Sequence, residues 1–181
     1  MMTGLSTPES PVAGSSVAGS VRLRKLEQAD LPWLYKWEND AEAWPDGATH
    51  NPLSKDDLRD YLRRTTGDIY LDGQLRLIIC SGQNDTPTGC VDLYDVDIRN
   101  RKAGVAVYVD PAYRNQGLAR EALKLLKSYT SHILHFRMLY AMVRKENSAS
   151  QKAFQSADFY VVACLPEWVL EGEICVLQTL L

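Results

Sequence analysis

The sequence of 181 residues contains few cysteines, and their arrangement excludes two common uses of this residue. The four cysteines are Cys80, Cys90, Cys164 and Cys175. They form no CxxC pair, and their spacing fits neither a zinc site nor a disulfide framework. Each lies in an apolar stretch, so all four are predicted to be buried free thiols. This use of cysteine favours a reducing compartment.

Long apolar segments and a strong charge excess are also missing. The apolar runs, such as the one around residues 77–80, are far shorter than the roughly 20 residues that cross a bilayer. No basic start followed by an apolar core marks a secretory signal. The net charge of −3 and the pI of about 5.6 argue against the broad basic surface of a nucleic-acid-binding protein. The sequence therefore predicts a cytoplasmic protein that binds neither membranes nor nucleic acid.

The composition that remains is that of a globular protein. Hydrophobic residues make up 45% of the chain and charged residues 24%, and the length fits one domain. Residues 1–20 are rich in Ser, Gly and Pro and contain no aromatic residue, so they are predicted to form a flexible tail. Residues 21–181 are then expected to form the folded domain.

Hydrophobic periodicity predicts the element order β-α-α-β-β-β-α-β-α-β-β. Strands at residues 74–80, 88–94 and 103–109 form an antiparallel meander. A helix over residues 117–134 connects the third of these to a parallel strand at 138–143. The other elements are a strand at 21–26, helices at 30–39, after Ser54 and at 147–157, and closing strands at 159–164 and 173–180. The expected fold is a mixed α+β sheet, mostly antiparallel and flanked by helices.

One segment carries a chemical signature, and it lies between the strand at 103–109 and the next helix. The helix begins at Gly117, where free backbone N–H groups and the helix dipole favour a phosphate group. Gly117 and Ala119 lack bulky side chains, so a diphosphate can approach the backbone closely. Arg114 and Arg120 add positive charge. Taken alone, a glycine near a helix start is more often a packing or turn choice.

The segment Arg114-Asn115-Gln116-Gly117-Leu118-Ala119 resembles the Q/R-x-x-G-x-G/A signature of the GNAT acetyltransferases. The predicted element order also agrees with the GNAT acyl-CoA N-acyltransferase fold over residues 21–181. The resemblance implies that acetyl-coenzyme A is the acetyl donor, with no metal. It implies that the pyrophosphate is held by the backbone amides of Asn115, Gln116, Gly117, Leu118 and Ala119.

The resemblance also implies a route for the pantetheine arm of coenzyme A. The strand before the signature typically separates from its neighbour through a bulge. Backbone groups of Val107 and Val109 are then expected to bind the arm. Members of the family are often dimers, so a homodimer is expected as well.

A second match to the family lies at residues 147–159, which resemble the pattern N-x-x-S-x-x-x-[YF]-x-x-x-G-F. The resemblance implies that Asn147 contacts the pantetheine arm, although the residue is equally explained as a helix N-cap. Phe154 stands where many members have a tyrosine that protonates the departing thiolate. Asp158 replaces the usual glycine, which calls the local turn into question.

The reaction needs a group that takes a proton from the acceptor amine. The carboxylate that the family usually has near the strand before the signature is absent here. Glu167, placed after the first closing strand, is one candidate, and Asp92 and Asp95 at the end of the central meander strand are rivals. Each is otherwise a solvated surface residue. Ser150 is a candidate proton donor to the thiolate, and capping or packing is its alternative role.

The acceptor is expected to bind near the first helices. The segment Trp37-Glu38-Asn39-Asp40, together with Trp44, combines aromatic rings with carboxylates, which suits a cationic amine. The tryptophans are equally explained as packing anchors. This segment and residues 68–70, 74–77 and 91–95 resemble the branch of the family with spermidine acetyltransferases and ribosomal-protein alanine acetyltransferases.

The predicted function is thus acetyl transfer from acetyl-coenzyme A to a primary amine, either a polyamine or a protein N-terminus. An aminoglycoside is a weaker third acceptor. The alternative is an acetyl-CoA-binding sensor of the same fold with little catalysis, for which the missing tyrosine at Phe154 is the best support. A nucleotide-binding protein built on the βαβ unit, without acetyl transfer, is a further alternative.

Overall fold

The structure is a computed structural model that describes residues 21–44, 51–170 and 172–181. The tail predicted at residues 1–20 and positions 45–50 of the loop predicted after the first helix lie outside these described residues. Within the described ranges, no helix combines the length and the apolar character that crossing a membrane requires.

A single sheet of seven strands forms the centre of the described structure. In chain order the strands are β1 (Arg22–Lys25), β2 (Leu75–Ser81), β3 (Thr86–Asp97), β4 (Lys102–Val109), β5 (Met138–Arg144), β6 (Tyr160–Val169) and β7 (Gly172–Leu180). Across the sheet their order is β1-β2-β3-β4-β5-β7-β6. Only β4 and β5 pair in parallel, and every other pair is antiparallel. This confirms the mixed, mostly antiparallel α+β fold, including the parallel pair across the predicted βαβ unit.

The helices of the described residues are α1 (Leu31–Glu38), α2 (Lys55–Arg64), α3 (Ile69–Asp72), α4 (Leu118–His132) and α5 (Ser148–Gln155). The predicted cap of α2 is present, because the Ser54 hydroxyl accepts a hydrogen bond from Asp57 N at 3.1 Å. The predicted cap of α1 differs. Asp30 precedes α1, but its carboxylate pairs instead with Arg24 at 2.6 and 2.7 Å.

The hydrophobic period of the sequence is that of strands from Ile69 onward, but the structure shows the short helix α3 at Ile69–Asp72 instead. The Asp68 side chain accepts a hydrogen bond from Tyr70 N at 2.8 Å and so starts the turn. Gly73 ends it with φ = 66°, a left-handed conformation that glycine adopts without steric cost. One capped turn therefore interrupts the alternating pattern before β2 begins.

The strand predicted at 159–164 is also longer than expected, since β6 continues to Val169. β6 continues through Pro166 because it is at the edge of the sheet, where a missing N–H costs no ladder bond. The pairing of β6 with β7 is irregular between Leu165 and Val169. Glu167 therefore lies inside the strand, not after it, and the prediction for its position was wrong.

Helices cover both faces of the sheet and bury two apolar clusters. On one face α4 and α5 pack against the sheet through Leu118, Ala122, Leu123, Leu126 and Phe154. On the other face α1 and α2 pack through Leu34, Trp37, Leu58 and Leu62. Trp37 is thus a packing anchor, as one interpretation of the sequence held. The two layers leave the strand ends at the edges of the sheet free for a binding site.

Three of the cysteines are buried, as predicted, and one is not. Cys80 and Cys90 lie in the cluster beneath α1 and α2, and Cys175 lies in the cluster beneath α4. Cys164 is exposed, because it belongs to the edge strand β6, most of whose residues face solvent. The prediction of a buried thiol at this position was wrong.

Candidate active site

The first part of the site is the start of α4, where Gly117 is the N-cap residue. Its backbone has φ = 76° and ψ = 4°, a left-handed conformation that favours glycine. A Cβ atom placed on Gly117 would meet nothing closer than Arg120 Nη2 at 4.0 Å. The space in front of this residue is therefore open, and a ligand can approach the backbone.

Backbone N–H groups converge at this helix start without a protein acceptor. The N–H groups of residues 115–120 donate to no acceptor in the described part of the chain, and the first bonded amide is Glu121 N, which reaches Gly117 O at 3.1 Å. Unpaired amides at a helix start, together with the helix dipole, form a site for a phosphate-bearing ligand. The geometry thus fits the diphosphate binding that the signature predicted.

The second part of the site is a cleft between β4 and β5. The two strands pair only over residues 102–104 and 138–140. Val107 and Val109 lie beyond this point, in the part of β4 that pairs with β3 alone. The predicted separation of the strands is therefore present. The predicted bulge is not found between β4 and β5; the irregularity lies on the other side of β4, between Tyr94 and Asp97 of β3.

Both sequence motifs meet at the open end of this cleft. Because β4 and β5 are parallel, their carboxyl ends lie on the same side, and the helices that follow them begin there. The start of α5 carries Asn147, whose Oδ1 accepts a hydrogen bond from Ser150 N at 2.9 Å. The N-cap interpretation of Asn147 is thus confirmed. The same bond places the backbone of Ser150 in the first turn of α5.

Phe154 takes no part in the surface of the cleft. Its side chain is buried and packs edge-on against the Phe159 ring, with 5.0 Å between ring centroids. Asp158, just before Phe159, has φ = 64°. The turn in which family members normally have a glycine is therefore formed here by an aspartate in the left-handed conformation.

A half-buried ion-pair cluster lies on the sheet face that carries α1 and α2. Arg76 on β2 bonds both carboxylate oxygens of Asp92, at 2.7 and 2.8 Å, and also bonds Glu38 at the end of α1. Burial opposes the charge of Arg76, but the two carboxylates raise its pKa well above the usual value. Asp92 therefore has both oxygens engaged and acts as a fixed charge. Sequence reasoning missed Arg76, since only the folded sheet joins it to these partners.

A second polar cluster stands beside the first. The Tyr108 hydroxyl donates to Asp40 Oδ2 at 2.7 Å, and Arg114 lies 3.9 Å from the same carboxylate oxygen. The Arg114 guanidinium also lies over the Tyr108 ring, 6.0 Å from its centroid. Burial and the bond to Asp40 raise the pKa of Tyr108. Arg114 thus connects the signature loop to the segment predicted to bind the amine.

The predicted proton-transfer residues do not come together. Asp92 lies on β3 opposite Ala106, and Ser150 lies in α5. Glu167 is exposed with φ = 55° on β6, which β7 and β5 separate from β4, and it bonds to no residue that the structure describes. Asp95 is placed differently: its Oδ2 is 3.5 Å from the hydroxyl of Tyr140, the last β5 residue paired with β4.

A sheet that opens between two parallel strands, with an anion-binding helix start at the opening, defines the class of acyl-coenzyme A N-acyltransferases. The family described as "Acetyltransferase (GNAT) domain" matches residues 20–160 of the chain. The chain therefore belongs to the GNAT acetyltransferase family, and it is an acetyl-CoA-dependent N-acetyltransferase.

Relatives in sequence and in structure agree with this assignment. The spermidine N(1)-acetyltransferase of Escherichia coli K12 is 27% identical over 161 residues, which cover 86% of this chain and 82% of that protein. The spermidine N-acetyltransferase of Vibrio cholerae, solved with CoA and spermine, has a TM-score of 0.80 and 20% identity, covering 88% of this chain and 95% of that one. The spermidine/spermine N-acetyltransferase of the same organism, solved with manganese ions, has a TM-score of 0.73 and 20% identity, with 88% and 92% covered.

A substitution at Gly117 tests the helix start as the donor site. We expect Gly117→Glu to weaken coenzyme A binding by about 10- to 100-fold, because a carboxylate would fill the open space and repel the diphosphate. Gly82→Glu is the matched control, since Gly82 has φ = 78° and no atom within 4 Å of an added Cβ. Calorimetric titration of both folded variants measures the effect. Equal affinities for the two variants would contradict the assignment.

Asp110 fixes the end of β4 just before the signature loop. Its buried carboxylate accepts hydrogen bonds from Lys36 Nζ at 2.5 Å, Trp37 Nε1 at 3.0 Å and Ala112 N at 3.1 Å. Burial alone would raise the pKa of Asp110, but these bonds outweigh it and lower the pKa below the usual 3.8. The carboxylate therefore stabilises the fold in its ionised form.

We expect Asp110→Asn to lower the free energy of unfolding at pH 7 by about 2 kcal/mol, a value that allows for solvent screening of the exposed Lys36. Because the folded pKa is depressed, this stabilisation is present above pH 3.8 and is lost as the pH falls through the folded value. Urea unfolding across that range should show the gap closing at low pH. Asp56→Asn, which removes an exposed carboxylate on α2, should leave stability unchanged. A gap that persists in acid would refute the role of the charge.

Proposed function

We propose that the chain transfers the acetyl group of acetyl-coenzyme A to a primary amine of a polyamine. The observation that supports a polyamine as the acceptor is the pair of carboxylate clusters on the sheet face beside the cleft. Asp92 stands opposite Ala106, and Tyr108 follows two residues later on the same face of β4, where it holds Asp40. An elongated polycation can meet both clusters at once.

The donor would lie along β4. The free amides of residues 115–120 would hold the pyrophosphate, with Arg114 beside them. Backbone groups of Val107 and Val109 would hold the pantetheine arm, and Asn147 would contact it from the start of α5. The thioester carbonyl would then point toward the closed end of the cleft, where β4 and β5 pair. The acetyl carbon supplied there is the centre that the amine attacks.

The acceptor face has more acidic than basic charge. Glu38, Asp40 and Asp92 share it with Arg76 and Arg114, and the ring of the half-buried Tyr108 stands beside them. Carboxylates and aromatic faces both attract ammonium groups. The acetyltransferases of Escherichia coli and Vibrio cholerae to which the chain is similar are named for spermidine, which supports the same substrate class.

A protein N-terminus and an aminoglycoside remain the rival acceptors. Thiol release from acetyl-coenzyme A should be measured with spermidine, spermine, N-terminal peptides and an aminoglycoside. We expect turnover with the polyamines, and a lower kcat/KM for spermidine when Glu38→Gln removes one carboxylate. Tyr35→Phe, an exposed change on the same helix, is the control. Turnover with peptides alone would favour protein acetylation, and acetyl-coenzyme A binding without turnover on any amine would favour the sensor.

For the general base we propose Asp95, acting directly or through water. It lies beside Tyr140, which is the last β5 residue paired with β4 and so marks the closed end of the cleft. Asp92 is tied to Arg76, while Glu167 on the edge strand remains the rival candidate. Ser150 remains a candidate proton donor to the thiolate, because Phe154 has no proton to give.

Two isosteric variants separate the candidate bases. We expect Asp95→Asn to lower kcat for spermidine by about 100-fold, since loss of a general base typically costs this much or more. Coenzyme A affinity should stay at the wild-type value, and Glu167→Gln should have the smaller effect on kcat. A pH profile of kcat should lose its acidic limb only in the variant that lacks the base. If that limb is lost in Glu167→Gln instead, the base belongs to β6.

A further inference from the structure

Two cysteines face each other across the hairpin of β6 and β7. Cys164 and Cys175 are directly opposite in the antiparallel register. Their sulfur atoms are 3.6 Å apart. Directly opposite residues point to the same face of a sheet, so this closeness follows from the pairing itself.

The backbone geometry of the pair suits a disulfide bond. Opposite residues in antiparallel strands have Cα atoms about 4.5 or 5.5 Å apart. Disulfides span Cα separations of about 4.4 to 6.8 Å. The sulfurs need to close from 3.6 Å to roughly 2.0 Å, a change within reach of side-chain rotation. The pairing of β6 with β7 is irregular on both sides of Cys164, which gives the strand room to adjust.

Access and charge assign different roles to the two thiols. Cys164 is exposed on the edge strand, and Cys175 lies buried beside it. Burial and the neighbouring Cys164 raise the pKa of the Cys175 thiol. The Lys145 ammonium, paired with Glu173, lies close enough to interact with both sulfurs. Cys164 is therefore the thiol that a dissolved oxidant can reach, and the thiolate is the form that oxidants attack.

We propose that Cys164 and Cys175 form a site of reversible oxidation, where a hydroperoxide such as hydrogen peroxide converts the two thiols into an intramolecular disulfide. The Cys164 thiolate attacks one peroxide oxygen, the O–O bond breaks, and the leaving hydroxide takes a proton and departs as water. The Cys175 sulfur then attacks the sulfenic acid sulfur, the S–S bond forms, and the S–O bond breaks to release a second water. The two thiols lose two electrons and two protons, and one peroxide is reduced to two waters.

The test uses the full-length purified chain and hydrogen peroxide. After oxidation and alkylation, we expect the number of free thiols in the denatured protein to fall from four to two. Peptide mapping should show Cys164 joined to Cys175, the chain should run as a covalent monomer on a non-reducing gel, and dithiothreitol should restore all thiols. This outcome does not depend on the acetyl acceptor or on coenzyme A binding.

Single substitutions complete the test. Cys164→Ser should keep its three remaining thiols under the same treatment, because Cys175 is buried. Cys80→Ala, which lies outside the hairpin, should still form the bridge. The proposal is overturned if the wild-type protein keeps four free thiols, if Cys164 reacts alone to give a sulfinic acid or a covalent dimer, or if mapping joins any other pair.

Discussion

β4 and β5 share hydrogen bonds only at their first residues, and the functional site depends on this limited pairing. A sheet that stayed paired to the strand ends would leave no backbone donors and acceptors for an extended ligand. Because the strands are parallel, the helices that follow them start at the opening, so Gly117 and Asn147 stand on either side of it. In the proposed function, the opening would set both where the donor enters and which way its thioester points.

The two sides of the opening differ in charge. The start of α4 presents unpaired amides, which suit a diphosphate. Glu38 ends α1, Asp40 follows it, and the sheet face beneath carries Asp92; these carboxylates suit an ammonium group. Arg76 and Tyr108 hold these carboxylates in place. In the proposed function, the negatively charged donor and the cationic acceptor would therefore meet surfaces of opposite charge, which would keep each substrate on its own side.

Local patterns could be predicted from the sequence, and side-chain contacts between paired strands could not. Gly117, the N-cap role of Asn147 and the N-cap at Ser54 follow from signals within a few residues. The Arg76–Asp92 pair and the Cys164–Cys175 pair depend on strand register, which alternation alone does not fix between neighbours. The end of β6 was predicted too early, and the edge strand continues through Pro166, whose missing N–H is not needed there.

Asp110 joins the two halves of the enzyme in one hydrogen-bond network. It directly follows β4, beside the signature loop, and its carboxylate accepts hydrogen bonds from Lys36 and Trp37 of α1. In the proposed function, a change in α1 that alters the acceptor side would therefore also disturb the end of β4, where the donor would lie. Altered amine preference obtained through α1 would come with altered coenzyme affinity, whereas β3, which reaches the acceptor side through Asp92, allows the two properties to diverge independently.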